Sequence, residues 1–412
     1  MVEGMSLGTA SSPQLLRRMN SGALMRFALG AGEFTAAEAM GATALTRSTV
    51  LGVCDDLVAA GWLDEVEDSR AAGLTSKGRP ARRYRLREDA GVVAGVDAGE
   101  NRFTVVVADL RGGVLAGARG DAPAVDRRKG AAAERSRAAA AVERRALAAR
   151  LLDEALAQAG ADRTDVLVVV VGVPAPVDAE GRSPAGDRDF WKTMNPDFAD
   201  LLPGVAVVEN DANLAAVAEQ SLGGQAHVAN VATLLSGERL GAGVIVDGRL
   251  LRGARGGAGE MRFLDIVEGA GTPDGVGALA RTWAREAVAS GRATALAARP
   301  DATAQDVFRA AEDGDALAIE ILDRLGERIA RVALVLASLL DIERVVVAGA
   351  IADAVEPVLR RARVVLAEDF YPPVPELVAS ALGRDVVVRG AVESARAYLR
   401  EEPLAFTPRP RA

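Results

Sequence analysis

From Gly91 to about Arg400, short β-branched runs alternate with longer segments of helical periodicity, and this alternation constrains the fold more than any other feature. Residues 92–96, 103–108, 166–171, 205–208, 229–235, 243–246, 344–348 and 386–389 have strand length and composition. Residues 212–222, 323–340, 355–367 and 392–400 have the spacing of amphipathic helices. Such alternation predicts an α/β domain over residues 91–400, in two lobes of 91–209 and 210–390. Residues 130–160 are rich in Ala, Arg and Glu and have good helix propensity, and the polar first half predicts a loose insertion. The last segment, 401–412, carries three prolines and is expected to be a disordered tail.

Residues 10–90 have a different texture. Leu15, Leu16, Met19, Leu24, Phe27 and Ala28 give a first helix an apolar stripe over 13–29. Thr35 and Glu38 stand at capping-box spacing and open a second helix over 36–40. Thr46 caps a third, in which Val50, Val53, Leu57 and Val58 recur at helical spacing before Gly61 ends it. Two strand-like pieces, 62–66 and 82–86, flank a loop rich in Gly, Ser, Lys and Arg. Three helices, a hairpin and a basic loop predict a winged helix-turn-helix.

Charge distribution supports a duplex-binding surface there. The net charge of −8 alone argues against nucleic acid, but residues 1–90 balance eleven basic against eleven acidic side chains. Residues 69–87 carry seven basic side chains and no acid. Thr46, Arg47, Ser48 and Thr49 would face the major groove from the first turn of the third helix. Lys77, Arg79 and Arg82 would track the phosphate backbone. Leu51, Gly52, Asp55 and Asp56 suit DNA poorly, which confines base contact to that first turn. The competing reading is a small helical domain whose basic loop is a solvated face.

Other classes are excluded by what is scarce. One cysteine, Cys54, allows no internal disulfide, and one histidine, His227, leaves the usual triad base and metal ligand almost unrepresented. The longest apolar runs, 166–171 and 332–340, are far short of the roughly 20 residues that span a bilayer. No basic-then-apolar leader opens the chain, so a cytoplasmic protein is expected.

Five glycine- and carboxylate-bearing motifs follow in order: Gly95-Val96-Asp97-Ala98-Gly99, Gly172-Val173-Pro174, Glu209-Asn210-Asp211-Ala212-Asn213, Gly241-Ala242-Gly243, and Gly256-Gly257-Ala258-Gly259-Glu260. In this set and order the chain resembles the ROK family of repressors, open reading frames and sugar kinases, from Gly91 to about Arg400. The resemblance implies an actin-like ATPase fold, and with the head in front it resembles the repressor branch. It also implies that Asp211 matches the kinases' general base, that Asn210 and Glu260 match sugar-contacting positions, and that Asn195 lines the same cleft.

Departures from the family pattern bear on chemistry. In the first phosphate loop Glu100 and Asn101 replace a glycine and a threonine; in the second, Glu238 and Arg239 replace a threonine and a glycine. A carboxylate adds bulk and like charge where backbone N–H groups must approach phosphate. The family's zinc-binding histidine falls at Phe263, and residues 268–277, where the cysteine-rich loop belongs, contain no cysteine. Neither zinc nor ATP is therefore expected, and no catalytic residue is assigned. The expected protein is a homodimeric regulator of carbohydrate genes, most simply a repressor, that binds an operator duplex and a sugar-type effector. The alternative is an active sugar kinase with a DNA-binding head.

Overall fold

Two five-stranded sheets and one three-stranded sheet organise the computed structural model, which describes residues 13–66, 82–184, 190–202, 205–299 and 301–410. The head comprises helices α1 (Pro13–Gly30), α2 (Ala36–Thr43) and α3 (Arg47–Ala59), with strands β1 (Glu33–Thr35), β2 (Leu63–Val66) and β3 (Arg83–Leu86) ordered β1-β3-β2. Both sides of the Thr35–Glu38 capping box form, and the Thr46 hydroxyl accepts from the Thr49 N–H at the start of α3. Val50, Val53, Cys54 and Leu57 place one face of α3 in the core.

The first lobe carries β4 (Val92–Ala98), β5 (Arg102–Ala108), β6 (Val114–Asp121), β7 (Val166–Val173) and β8 (Ala206–Asn210), in sheet order β6-β5-β4-β7-β8. Every residue of β7 is buried, which explains its continuous apolar run. Its Val169, Val171 and Val173 share a cluster with α4 (Ala131–Gln158), while Val168 and Val170 join one with α11 (Val386–Glu401). Strand period thus sends alternate valines to the helices on opposite faces.

The second lobe's sheet comprises β9 (Val231–Ser236), β10 (Leu240–Val246), β11 (Arg249–Leu250), β12 (Arg344–Ala348) and β13 (Glu376–Ala379), ordered β11-β10-β9-β12-β13. Helices α7 (Val276–Ala289), α8 (Ala304–Glu312), α9 (Ala316–Leu340) and α10 (Glu356–Asp369) supply most of its core. Helix α5 (Phe190–Met194) precedes β8, and helix α6 (Asp211–Leu222) lies between the lobes, against α11, β9 and β10. No helix of the described residues is long and apolar enough to cross a membrane.

Three expectations need correction. The first half of residues 130–160 is not a loose insertion: the helix propensity of the segment is realised throughout, in the 28-residue helix α4, whose buried Arg137 and Arg144 donate to carbonyl partners. Residues 386–389 are the first turn of α11, not a strand; helix α11 packs on β4 and β7 of the first lobe, although its sequence follows the second. The tail is packed rather than disordered. Pro403 is buried, Phe406 packs against the cluster shared by head and first lobe, and the Arg409 N–H donates to the Ala90 carbonyl at 2.7 Å. Arg409 also meets Asp165 at 3.2 Å, and the buried Arg87 guanidinium donates to the Arg409 carbonyl. A proline-rich segment cannot extend a sheet or helix, but it can lie in a groove that supplies such partners.

Candidate functional site

A cavity of about 400 Å³ opens where the lobes meet, lined among others by Asp211, Glu260, Trp191, Phe190, Arg239 and Arg262. This is the size of pocket that holds a small ligand. Asp211 is the first residue of α6, and its Oδ1 accepts from the Ala212 N–H at 2.8 Å. Glu260 is held beside Gly241 by an isolated antiparallel bridge. The approach depends on Gly259: its φ is +79°, and a Cβ there would stand 1.8 Å from the Ala242 carbonyl oxygen.

Asp211 and Glu260 in the lining, and Asp97 close behind Asp211, are biased toward protonation. Burial, then the nearby Asp97 and Glu260, raises Asp211 well above the usual carboxylate range. Asp97, near the end of β4, is raised to about 7 by burial and then by Asp385, against the opposing effects of Arg144 and the Gly99 N–H. Glu260 is raised by burial, and Arg239 and Arg262 oppose the shift. A carboxyl accepts from a hydroxyl in either form and can also donate to one when protonated, which suits a polyhydroxylated ligand.

The other two residues expected in the cleft do structural work. Asn210 lines the cavity, yet its Oδ1 caps α6 by accepting from the Asn213 N–H at 3.1 Å, and its Nδ2 donates to the Ala175 carbonyl at 3.1 Å. Asn210 is thus the N-cap of α6, and Asp211, the first helical residue, lines the cavity. Asn195 does not line the cavity. Its Nδ2 ties down the turn at Gly181 and Ser183, each at 3.0 Å. Trp191 is part of the lining, with the Arg262 guanidinium 5.5 Å from its ring centre. Arg239 and Arg262 were not expected as ligand-facing; the only signal was their position beside Gly241 and Glu260.

Both would-be phosphate loops are engaged from within. At the β4–β5 turn, Glu100 pairs with Arg127 at 2.5 Å, and the buried Arg144 donates to the Ala98 and Gly99 carbonyls at 2.7 and 3.0 Å. At the β9–β10 turn, Glu238 pairs with Arg281 at 2.6 Å. The Leu240 N–H donates to the Pro273 carbonyl at 2.9 Å, and the Gly275 N–H to the Glu238 carbonyl at 3.0 Å. Residues 273–275 therefore occupy the approach to that turn.

On the head, Arg47 and Ser48 are exposed at the start of α3. The Thr46 hydroxyl is engaged by capping and by the hydroxyls of Ser48 and Thr49, at 3.1 and 2.8 Å. Arg82 is exposed but paired: it meets Glu65 at 2.5 Å and Asp55 at 2.8 Å, and lies over the Tyr84 ring. Asp56 pairs with Arg17 at 2.5 Å. The two acids that suited DNA poorly are thus both neutralised by arginine. Lys77 and Arg79 lie outside the described residues.

The ROK family model matches residues 93–397. The chain belongs to the ROK family. It is 27% identical to a glucokinase of Halalkalibacterium halodurans over 235 residues, covering 52% of this chain and 70% of that protein. It is 23% identical to a xylose repressor of Caldicellulosiruptor bescii over 228 residues, and spans about half of that relative's length, 52%. Among solved structures, a ROK family transcriptional regulator described as a homologue of the Escherichia coli MLC protein superposes with a TM-score of 0.72 at 18% identity, covering 94% of this chain and 99% of that one. A ROK glucokinase from Streptomyces griseus, solved with glucose and AMPPNP, gives 0.55 at 24% identity, covering 74% of this chain and 99% of that one. Likeness at these identities concerns fold, and the α/β sheets and interlobe cleft are those of the ROK fold.

Proposed function

We propose that this ROK protein is a DNA-binding transcriptional regulator, a repressor of carbohydrate genes, whose cleft binds a sugar-type effector without phosphorylating it. One observation carries the reading. The glucokinase fold is used up when 74% of this chain is covered, whereas the regulator's covers 94%. The head lies outside the family model, which begins at residue 93. In this reading it is a winged helix-turn-helix, with α3 in the major groove and the β2–β3 loop as the wing. Arg47 and Ser48 contact base edges, Thr46 and Thr49 shape the helix start, and Lys77 and Arg79 contact phosphates. Arg82 acts as a brace under the wing instead of a free cation. A homodimer in the cytoplasm would present two such helices to a two-fold operator.

The internally paired Glu100 and Glu238, and residues 273–275 over the second turn, support a cleft that does not take ATP. Asp211 and Glu260 face the cavity as hydroxyl partners. The test is genome-derived duplex selection with the full chain, followed by titration at several salt concentrations. Arg47→Ala should lose sequence preference, costing about 1–3 kcal/mol at the preferred site. Lys77→Ala/Arg79→Ala should weaken all duplexes alike and reduce the salt slope by about 2. Unchanged binding in both variants would sink the assignment.

A second reading, an active sugar kinase with a DNA-binding head, is favoured by one feature: an Asp211 carboxyl in the cleft whose pKa is raised above the usual carboxylate range, as a general base requires. ATP consumption across a panel of hexoses decides between them. Turnover abolished by Asp211→Asn establishes the kinase, and its absence leaves the regulator.

A further inference from the structure

Zinc does not fit the segment that follows Glu260. Phe263 stands at the family's histidine position with 64% of its surface exposed, and residues 264–275 contain no cysteine. Among the described residues no three His, Cys, Asp or Glu side chains converge to hold a metal ion. A loop of this length without a cross-link would be loosely held. Here, however, the carbonyls of Ala270, Thr272 and Asp274 turn toward a single group, the guanidinium of Arg328 on α9. Its Nε donates to Ala270 at 2.6 Å, and its Nη2 to Thr272 at 2.6 Å and to Asp274 at 2.9 Å. Arg328 is 2% exposed, and its neighbours Leu325 and Ile329 are fully buried in the second-lobe core, so the cation is delivered from a rigid support.

We propose that Arg328 replaces zinc as the cross-link of residues 264–275, holding them on the second lobe and, through Pro273 and Gly275, against the β9–β10 turn. The chemistry suits a guanidinium. It is planar and rigid, and presents several donors along fixed directions, so one side chain can gather three carbonyls. Burial lowers its pKa to about 10, with Asp274 opposing, and it stays charged at neutral pH. Nη1 is buried without a partner, so the clamp works through Nε and Nη2. A lysine nitrogen on its single stem cannot reach the same three oxygens in one plane. The consequence is a cleft wall that needs no metal. It also keeps the second phosphate turn covered for as long as the clamp holds. The inference rests on this geometry and does not depend on the regulatory reading.

Hydrogen–deuterium exchange of the full chain tests it without any ligand. Arg328→Met should speed exchange across 264–276 and 237–241 by roughly tenfold or more, while β4, β7 and the head keep their protection. Millimolar methylguanidine should restore protection in Arg328→Met, and Arg328→Lys should resemble the methionine variant. Wild-type protein should purify with far less than one zinc per chain, and phenanthroline should leave its exchange unchanged. An unchanged loop in Arg328→Met, or a uniform rise across the whole chain, overturns the proposal. So does about one zinc per chain whose removal loosens 264–275. If Arg328→Met fails to fold, the lysine variant and the chelator treatment decide.

Discussion

Replacing Asp97 with asparagine tests the electrostatics of the cleft. Burial, then Asp385, raises the Asp97 carboxyl from 3.8 to about 7. The native state therefore keeps a proton that the unfolded chain releases as pH rises past about 4. Below that value both states are protonated and the native state carries no penalty. Through pH 7 the native carboxylate must ionise in a buried site beside Asp211, and stability falls. Each pKa unit is worth about 1.4 kcal/mol, so the shift amounts to about 4 kcal/mol at pH 8. Asparagine is isosteric, neutral, and still able to accept from the Gly99 N–H. It should recover most of this amount and relieve the charge on Asp211. The unfolding entropy of about 300 residues is roughly 0.6 kcal/mol/K, which makes the gain about 6 °C in melting temperature. At pH 4.5 the same gap should shrink to about 1–2 °C. Scanning calorimetry of both proteins from pH 4.5 to 8.5 measures it. A gap independent of pH, or an asparagine variant less stable at pH 8, would refute the reasoning.

Three further outcomes are expected. Arg82→Ala breaks the pairs with Glu65 and Asp55, and should destabilise the head by about 1 kcal/mol, read from urea unfolding of the head's exchange-protected amides. It should weaken DNA binding only through that loss of order. Gly390→Ala puts a Cβ 1.9 Å from the Leu214 carbonyl oxygen where α11 crosses α6; a cost above about 3 kcal/mol is expected in the denaturation midpoint, because backbone, not a movable side chain, must give way. Truncation after Glu402 removes Phe406 and Arg409, and should raise amide exchange in α1 and around Ala90 with little change in β9–β13. Equal loosening of the second lobe would count against the tail as a local strap.

Much of the fold was legible because local and tertiary signals agree. Thr35, Glu38 and Thr46 cap the helices their spacing predicts, and the valines of β4 and β7 form the strands their branching favours. Agreement fails where tertiary burial outweighs propensity. Val386, Val387 and Val388 carry strand composition, yet they open a helix because all three are buried between sheets and helices of the first lobe. The first half of helix α4 looked too polar to be fixed; Arg137 donates to carbonyls of the segment just before the helix and Arg144 to carbonyls of the β4–β5 turn, pairings that no periodicity encodes. Strand β1 is three residues long, below any pattern's reach. In the cleft, Asp97, Asp211 and Glu260 were legible as carboxylates in glycine-bounded motifs. The division of labour between Asn210 and Asp211 was not, since either side chain can cap a helix and only geometry assigns the role.

The contacts that run from cleft to head pass through few elements. Asp211 begins α6, and one turn on, Leu214 meets Gly390 of α11 backbone to Cα. The far end of α11 presents the Glu401 carbonyl oxygen 2.9 Å from where a Cβ on Gly22 of α1 would stand, and Glu402 pairs with Arg18. Close packing of this kind transmits displacement poorly by bending and well by rigid rotation, because backbone contacts have no side-chain slack to absorb motion. Proximity alone is not coupling. Under the regulatory reading, an effector would have to prefer one interlobe angle over another: a ligand equally content with both would leave the head where it was, however tightly it was held.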